Sequence, residues 1–186
     1  MKVMGYIASP RKEGNTARIV NSILEGAGEK GAETKAWYSG DLDIKPCRGC
    51  LGCAIGNGCV VRDDMQPLYA ALKESDTLVL GAPIYMGQMC AQAKIFIDRL
   101  FAQITPRFSP RFKEENTGKK LILVFTQGNP DPLMFREYID YTKKMFQLLE
   151  FVVADVQVIT GTRNGPVSDR KDLLASMRGI GAALVS

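Results

Sequence analysis

Histidine occurs nowhere in the 186 residues of this chain, and its absence excludes several kinds of enzyme site. Ser–His and Cys–His hydrolytic dyads, zinc sites with imidazole ligands and acid–base catalysis by an imidazole near neutral pH all require this residue. No side chain is therefore predicted to act as a catalytic acid or base of that kind. If the chain is an enzyme, we expect a bound cofactor to supply its chemistry.

Long apolar runs and long basic runs are also missing. No segment stays apolar over the roughly 20 residues that a membrane-spanning helix requires. Residues 1–8 have the pattern of a β-strand rather than that of a secretion signal. We therefore expect a cytoplasmic protein without a membrane partner. The net charge of +4 is mild and lysine and arginine form no block, so no nucleic-acid partner is expected.

Composition and length predict a single globular domain over residues 1–186. Hydrophobic residues make up 46% of the chain and charged residues 24%, which are ordinary values for a protein with a buried core. The sequence shows no linker or low-complexity tract. A cysteine-rich segment at about residues 46–63 takes the place of a short connection, so it is predicted to be a functional insertion.

Cysteine is concentrated in that segment. Cys47, Cys50, Cys53 and Cys59 follow a C-x2-C-x2-C-x5-C spacing with glycines between them. Closely spaced thiolates on a glycine-rich coil suit three corners of an iron–sulfur cubane, and Cys59 would supply the fourth. Zinc is an alternative, although it is usually held by two separated C-x2-C pairs. Free or redox-active thiols are a further alternative, whereas disulfides would join near neighbours under strain.

A polar loop, residues 9–16, joins the first predicted strand to the first predicted helix. A strand, a polar turn and a helix in this order direct backbone N–H groups and the positive end of the helix dipole at an anion. Neither of the common glycine-rich phosphate motifs is present, and capping of the helix by an Asn or Thr side chain is an alternative. The spacing indicates a phosphate-binding loop with four candidate side chains: Ser9, Arg11, Asn15 and Thr16.

Two further loops follow apolar strands. The continuous apolar run at residues 77–82 predicts a buried central strand. The loop after it offers backbone amides and an aromatic edge suited to a flat heteroaromatic ring, with a solvent-facing turn as the alternative; its residues are Pro83, Ile84, Tyr85, Met86, Gly87 and Gln88. The strand predicted at residues 119–127 ends in a second turn, formed by Thr126, Gln127, Gly128 and Asn129.

Five predicted strands alternate with five predicted helices, which favours a three-layer α/β domain with a parallel sheet. Among the common strand orders, the flavodoxin-like order 2-1-3-4-5 requires five strands and binds FMN where the order switches, between strands 1 and 3. The loops after strands 1, 3 and 4 would then meet at one end of the sheet. A phosphate-binding loop beside a ring-binding loop favours FMN as the ligand.

Charged and repeated residues elsewhere carry weaker predictions. Asp63 and Asp64 precede a predicted helix, and we expect them to cap it. Asp98 and Arg99 are expected to make surface or capping contacts. Residues 105–118 contain the sequence Pro-Arg-Phe twice, which indicates a lid, a subunit contact or a solvated loop.

Taken together, these motifs resemble those of a known family. Ser-Pro-Arg and Gly-Asn-Thr within residues 9–16, Pro-Ile-Tyr at residues 83–85, and residues 94–99 look like the NADPH-dependent FMN reductases of the flavodoxin-like superfamily. The cysteine run after strand 2, followed by Asp-Asp-Met at residues 63–65, looks like the iron–sulfur flavoprotein branch of that family. The resemblance covers nearly the whole chain, and the cysteine spacing is its most specific part.

The resemblance implies a role for each of these motifs. Residues 9–16 would bind the FMN phosphate, residues 83–88 and 126–129 would hold the isoalloxazine ring, and the four cysteines would hold a [4Fe–4S] cluster. Since such proteins form dimers or tetramers, the resemblance implies a homodimer or homotetramer.

The expected function is electron transfer through FMN and the cluster. The donor would be ferredoxin or NAD(P)H, and the acceptor would be quinone, oxygen, peroxide or a partner protein. One alternative is a cluster-free NAD(P)H-dependent FMN or quinone reductase, and another is a zinc-bound interaction module without enzymatic activity.

Overall fold

A parallel β-sheet with helices on both faces forms the fold in the computed structural model, which describes residues 1–55, 58–104 and 117–185. Most of the segment predicted to be a lid or subunit contact, residues 105–118, lies outside the described residues. Within the described residues, no helix is both long enough and apolar enough to cross a membrane.

The strands and the longer helices alternate along the chain as predicted, except for one pair of consecutive strands. The strands are β1 (Lys2–Ile7), β2 (Glu33–Tyr38), β3 (Thr77–Tyr85), β4 (Gln88–Met89), β5 (Lys120–Thr126) and β6 (Val152–Ile159). The α-helices are α1 (Asn15–Glu29), α2 (Gly52–Ile55), α3 (Met65–Glu74), α4 (Ala91–Arg99), α5 (Phe101–Ile104), α6 (Arg136–Leu148) and α7 (Lys171–Ala183). Two short 3-10 turns, Ser39–Asp41 and Val167–Asp169, follow β2 and β6.

The sheet runs in the order β2-β1-β3-β5-β6, with every neighbouring pair parallel. The α/β class and the parallel sheet are therefore confirmed. The predicted count of five strands is wrong, because a sixth strand, β4, pairs antiparallel with the end of β3. With β4 set aside, the five longer strands have the relative order 2-1-3-4-5.

The extra strand arises within the loop predicted to follow β3. Instead of ending at Ala82, β3 continues to Tyr85 and turns back, so that Tyr85 pairs with Gln88. The two residues at the turn, Met86 and Gly87, have φ values of 49° and 83°. Positive φ at both central residues is typical of the type I′ turn that closes two-residue hairpins. The predicted ring-binding loop is thus a tight hairpin.

Two hydrophobic clusters cover the two faces of the sheet. Alternation along β3 sends Leu78 and Leu80 into one cluster and Val79 into the other. The first cluster packs against α3, α4 and α6, and the second packs against α1 and α7. This three-layer arrangement buries the strands and leaves their carboxyl ends as the edge where loops can form a site.

Helices α1 and α7 pack at very short range. A Cβ atom added to Gly26 would collide with the carbonyl oxygen of Arg178, and one added to Gly181 would collide with that of Ile23. Glycine is therefore required at both positions for the two backbones to touch. This contact fixes α1 against the sheet and, with it, the loop that precedes α1.

Candidate functional site

The loop between β1 and α1 turns tightly at the carboxyl end of β1. Its Arg11 N–H donates to Ser9 Oγ at 3.2 Å, and its Gly14 N–H donates to the Arg11 carbonyl at 3.1 Å. Gly14 is the N-cap of α1, and no described side chain caps it. Since the N–H groups of a first helical turn have no partner within the helix, those of α1 remain available to an anion. Capping by Asn15 or Thr16, the alternative considered above, is not what the structure shows.

Side chains of this loop instead tie it to neighbouring strands. The hydroxyl groups of Thr16 and Thr126 form a buried hydrogen bond of 2.7 Å between α1 and the end of β5. Asn15 Oδ1 accepts a hydrogen bond of 2.9 Å from the N–H of Val167, in the turn after β6. The loop is consequently held in one position against two other carboxyl ends of the sheet.

An open cleft of about 500 Å³ lies beside this loop, and both arginines that line it favour an anion. Its lining residues are Arg11, Glu13, Gly14, Asn15, Thr162, Arg163, Gly165 and Pro166. Arg163 was not predicted as a site residue. Its side chain lies over Gly128, where an added Cβ would come within 2.7 Å of it. The sequence feature that could have identified Arg163 is its position as a basic residue in a glycine-containing loop at the same edge of the sheet.

The predicted ring-binding segments meet at this edge. Pro83 and Thr126 are direct partners in the pairing of β3 with β5. Beyond Pro83, the hairpin leaves Met86 fully exposed, while its Met89 N–H donates to the hydroxyl of Tyr138 at 3.1 Å. The structure therefore brings the loops after β1, β3 and β5 together, as the strand order predicts.

Gln127 supplies a polar group without a partner at this edge. Its side chain is almost fully buried, and its Nε2 donates to the carbonyls of Asn129 and Asp131 at 3.2 and 2.7 Å. Within the described part of the chain, its Oε1 has no hydrogen-bond partner. Because a buried acceptor left unpaired costs free energy, Oε1 is suited to accept from an N–H of a bound ring.

The four clustered cysteines lie between β2 and α3 and line one small cavity of about 40 Å³. Cys47 and Cys50 are exposed, whereas Cys53 and Cys59 are partly buried, and all are thiols. The N–H of Gly52 donates to Cys50 and lowers the pKa of its thiol, and nearby Arg48 lowers that pKa further. The four side chains thus share one space beside α4 and α5.

A site for a single metal ion is not formed by these thiols. Among residues 1–55, 58–104 and 117–185, no three Cys, Asp or Glu side chains are grouped closely enough to hold one ion. A tetrahedral zinc site needs sulfur atoms about 3.8 Å apart, because each Zn–S distance is about 2.3 Å. What the four thiols share is the lining of one small cavity.

A buried ion pair fastens the cysteine segment. Arg99 and Asp63 have side chains that are each only 1% exposed, and Arg99 donates to both carboxylate oxygens at 2.6 and 3.1 Å. The expectation that Arg99 makes surface contacts is wrong. Its guanidinium also donates to the carbonyls of Lys45 and Val61, and Asp63 accepts the N–H of Lys45. The pair therefore binds the chain on both sides of the cysteines.

The two aspartates before α3 differ in role. Asp63 Oδ1 accepts the N–H of Met65, the first residue of α3, so it caps the helix as predicted and also pairs with Arg99. Asp64 occupies the N-cap position without capping, and its carboxylate accepts the N–H of Asp43 instead. Burial opposes ionisation of Asp63, but hydrogen bonds from Arg99 and the backbone outweigh burial and lower its pKa.

The chain is similar to one protein family and to curated proteins from several organisms. The model of the NADPH-dependent FMN reductase family matches residues 1–165. An iron–sulfur flavoprotein of Methanocaldococcus jannaschii is 39% identical over 99 residues, which are 53% of this chain and 51% of that protein. Another, of Archaeoglobus fulgidus, is 30% identical over 179 residues, which are 96% of this chain and 77% of that protein.

The solved structures share the fold. An NAD(P)H:quinone oxidoreductase from Methanothermobacter marburgensis superposes with a TM-score of 0.73 at 18% identity, covering 99% of this chain and 98% of that one. The chain spans about half the length of the first curated relatives that it matches. The long alignment to the Archaeoglobus protein extends the similarity to nearly all of this chain.

Proposed function

The chain belongs to the NADPH-dependent FMN reductase family and to its iron–sulfur flavoprotein branch. We propose that it moves electrons through an FMN and a [4Fe–4S] cluster. Membership makes it a flavin-dependent oxidoreductase. The alternative of a zinc-bound module without enzymatic activity is accordingly wrong. The observation that best supports the flavin site is the meeting of three loops at the carboxyl ends of β1, β3 and β5.

The phosphate of FMN would bind at the β1–α1 loop. The free N–H groups of the first turn of α1 offer hydrogen bonds, and Arg11 offers positive charge. The side chains proposed to contact the phosphate are Ser9, Arg11, Asn15 and Thr16. Thr16 is already bonded to the end of β5 and Asn15 to the turn after β6, so the loop needs little rearrangement to receive the ligand.

The isoalloxazine ring would lie between the hairpin and the turn after β5. The hairpin's pairing holds its backbone rigid, and Gln127 Oε1 is the buried acceptor that faces no described donor. The residues proposed for the ring are Pro83, Ile84, Tyr85, Met86, Gly87, Gln88, Thr126, Gln127, Gly128 and Asn129. These backbone and amide groups would orient the ring and tune its electronic properties.

The cluster would be held by Cys47, Cys50, Cys53 and Cys59. One feature supports this assignment: all four cysteines line one small cavity. When bound, FMN supplies one- or two-electron exchange and the cluster supplies one-electron exchange, so together they interconvert paired and single electrons. The lowered pKa of the Cys50 thiol favours its thiolate, the form that binds iron.

The electron donor follows in part from the family, since its members use NAD(P)H. We propose ferredoxin as an alternative donor, and quinone, oxygen, peroxide or a partner protein as acceptors. We also propose a homodimer or homotetramer. A cluster-free NAD(P)H-dependent FMN or quinone reductase is the second candidate function, and the exposure of Cys47 and Cys50 favours it because exposed thiols are open to reversible oxidation.

Iron content separates the two candidates. Protein purified without oxygen should contain about four irons per FMN. The Cys50→Ala variant should lose the iron and keep the FMN, because Cys50 lies apart from the loops proposed to bind the flavin. Cys90→Ser is the matched control: Cys90 is buried, its thiol donates to the carbonyl of Ala8, and it lies outside the cavity. Flavin without iron, together with rapid NADPH oxidation, would establish the cluster-free reductase instead.

A further inference from the structure

The Arg99–Asp63 pair holds the cysteine segment on both of its sides. On the N-terminal side, Lys45 donates its N–H to Asp63 at 2.9 Å and its carbonyl accepts from Arg99 at 2.7 Å. On the C-terminal side, the carbonyl of Val61 accepts from Arg99 at 3.3 Å. Since the four cysteines lie between Lys45 and Val61, one pair of side chains sets the distance between the two ends of their segment.

An ion pair is an unusual means of filling this space. Two apolar side chains of similar volume would fill it at no loss of stability, because burying charges is costly even when they are paired. Apolar side chains, however, cannot bind two carbonyls and an N–H at fixed positions. The presence of a charged pair here is therefore explained by the backbone groups that it binds. Those groups lie on the two sides of the four cysteines.

Arg99 also lines the cavity that the cysteines share. Its two terminal nitrogens are used by Asp63 and the two carbonyls, whereas its Nε–H has no partner within the described residues. At the end of α4, the hydroxyl of Tyr69 donates to the Arg99 carbonyl at 2.6 Å and holds the backbone there. A buried N–H without an acceptor is unfavourable, and an anionic, sulfur-rich group in this cavity would supply one.

We propose that Arg99 and Asp63 are positioning residues that hold the four cysteines ready for an iron–sulfur cluster, with Arg99 supplying positive charge to it. This inference rests on the proposed function and assigns a role to side chains that are not ligands. Positive charge beside a cluster favours its reduced form, which carries one more negative charge, so Arg99 raises the reduction potential.

The test uses the whole chain with FMN bound, reconstituted anaerobically with ferrous iron and sulfide. The variants are Arg99→Gln, Arg99→Lys and the matched control Arg62→Gln, which alters an exposed arginine bonded to Gln66 on the protein surface. Arg99→Gln should hold at most half the iron per FMN, and its remaining cluster should have a more negative midpoint potential. Arg62→Gln should match the unmodified protein in both measurements.

The lysine variant separates charge from geometry. Arg99→Lys keeps the charge but cannot bind both carboxylate oxygens and two carbonyls, so it should lose iron while retaining nearly the unmodified potential. It also serves as the test if Arg99→Gln does not fold. Full iron content at an unchanged potential in an Arg99 variant would overturn the proposal.

Hydrogen exchange in iron-free protein distinguishes this inference from the function on which it rests. Residues 45–61 should exchange at least tenfold faster in Arg99→Gln than in Arg62→Gln. Equal exchange rates would overturn the positioning role. Absence of iron from the unmodified protein would contradict the proposed cluster, whatever the exchange rates.

Discussion

The loops after β1, β3 and β5, where we propose that the flavin binds (the flavin edge), and the cysteine segment are held in place by different means. At the flavin edge, the sheet itself brings the loops together: Pro83 pairs with Thr126 across two strands, and Thr126 bonds to Thr16. The cysteine segment has only one short helix, α2, and its turns use positive φ at Gly49, Leu51 and Gly58. Its ends are fastened by one buried ion pair.

Only the cysteine segment depends for its position on a few side chains. The loops at the sheet edge inherit their positions from many backbone hydrogen bonds and two hydrophobic clusters. The cysteine segment depends on two buried charges that attract one another. A single substitution should therefore damage the cysteine segment more than the flavin edge.

The largest effect is expected from Asp63→Ala. This change leaves Arg99 buried without its counter-charge and should lower the free energy of unfolding of the iron-free protein by about 3–5 kcal/mol. Denaturant titration measures it. The control is Asp41→Ala, which breaks an ion pair with Lys12 whose side chains are 47% and 59% exposed, and should cost less than about 1 kcal/mol. Equal losses in the two variants would show that the buried pair is no stronger than a surface pair.

A smaller effect is expected at the flavin edge from Thr16→Val. The change leaves the buried hydroxyl of Thr126 unpaired and should cost about 1–3 kcal/mol of unfolding free energy, with weaker FMN binding and unchanged iron content. The double variant Thr16→Val/Thr126→Val should lose less unfolding free energy than the sum of the losses in the two single variants. In the double variant both hydroxyls are replaced by methyl groups, so neither is left unpaired. Strict additivity of the two changes would contradict the direct coupling seen here.

The smallest effect is a difference in pH dependence between the two regions. The lowered pKa of Asp63 means that its stabilisation is complete above the ordinary Asp pKa of about 4 and is lost as pH falls through the lower, folded-state pKa. Asp63→Asn should therefore flatten the loss of stability below about pH 4. Thr16→Val, which alters only neutral groups, should keep the unmodified slope. Unfolding free energies of the two variants measured across the acid range test this difference. Identical slopes against pH would show that Asp63 does not contribute to the acid loss of stability.

The sheet and the flavin edge were largely predictable from the sequence because their signals are local. The apolar run in β3 and the polar loop after β1 each carry their pattern within a few residues, and the rule that parallel strands share a carboxyl edge joins them. The hairpin was missed because Met86 occupies a position where Asn or Asp is the usual signal for a type I′ turn.

The fastening of the cysteine segment was not predictable in this way. Arg99 and Asp63 are separated by 36 positions, and neither is flanked by a pattern that indicates pairing. Arginine is mostly exposed in proteins, so its expected place was the surface. Only the packing of α4 beside the start of α3 brings the two side chains together. Arg163 lies in a glycine-containing loop that could have drawn attention to it, but its contact with Gly128 joins two loops that are distant in sequence.

The two-sided fastening has a consequence for the lifetime of a bound group. A thiolate that detaches from a multidentate ligand set remains close to the place it left when both ends of its segment are held. Tethering of this kind gives a detached group an effective concentration on the order of millimolar. Rebinding then competes with complete release, so the Arg99–Asp63 pair would slow dissociation without touching the bond that breaks.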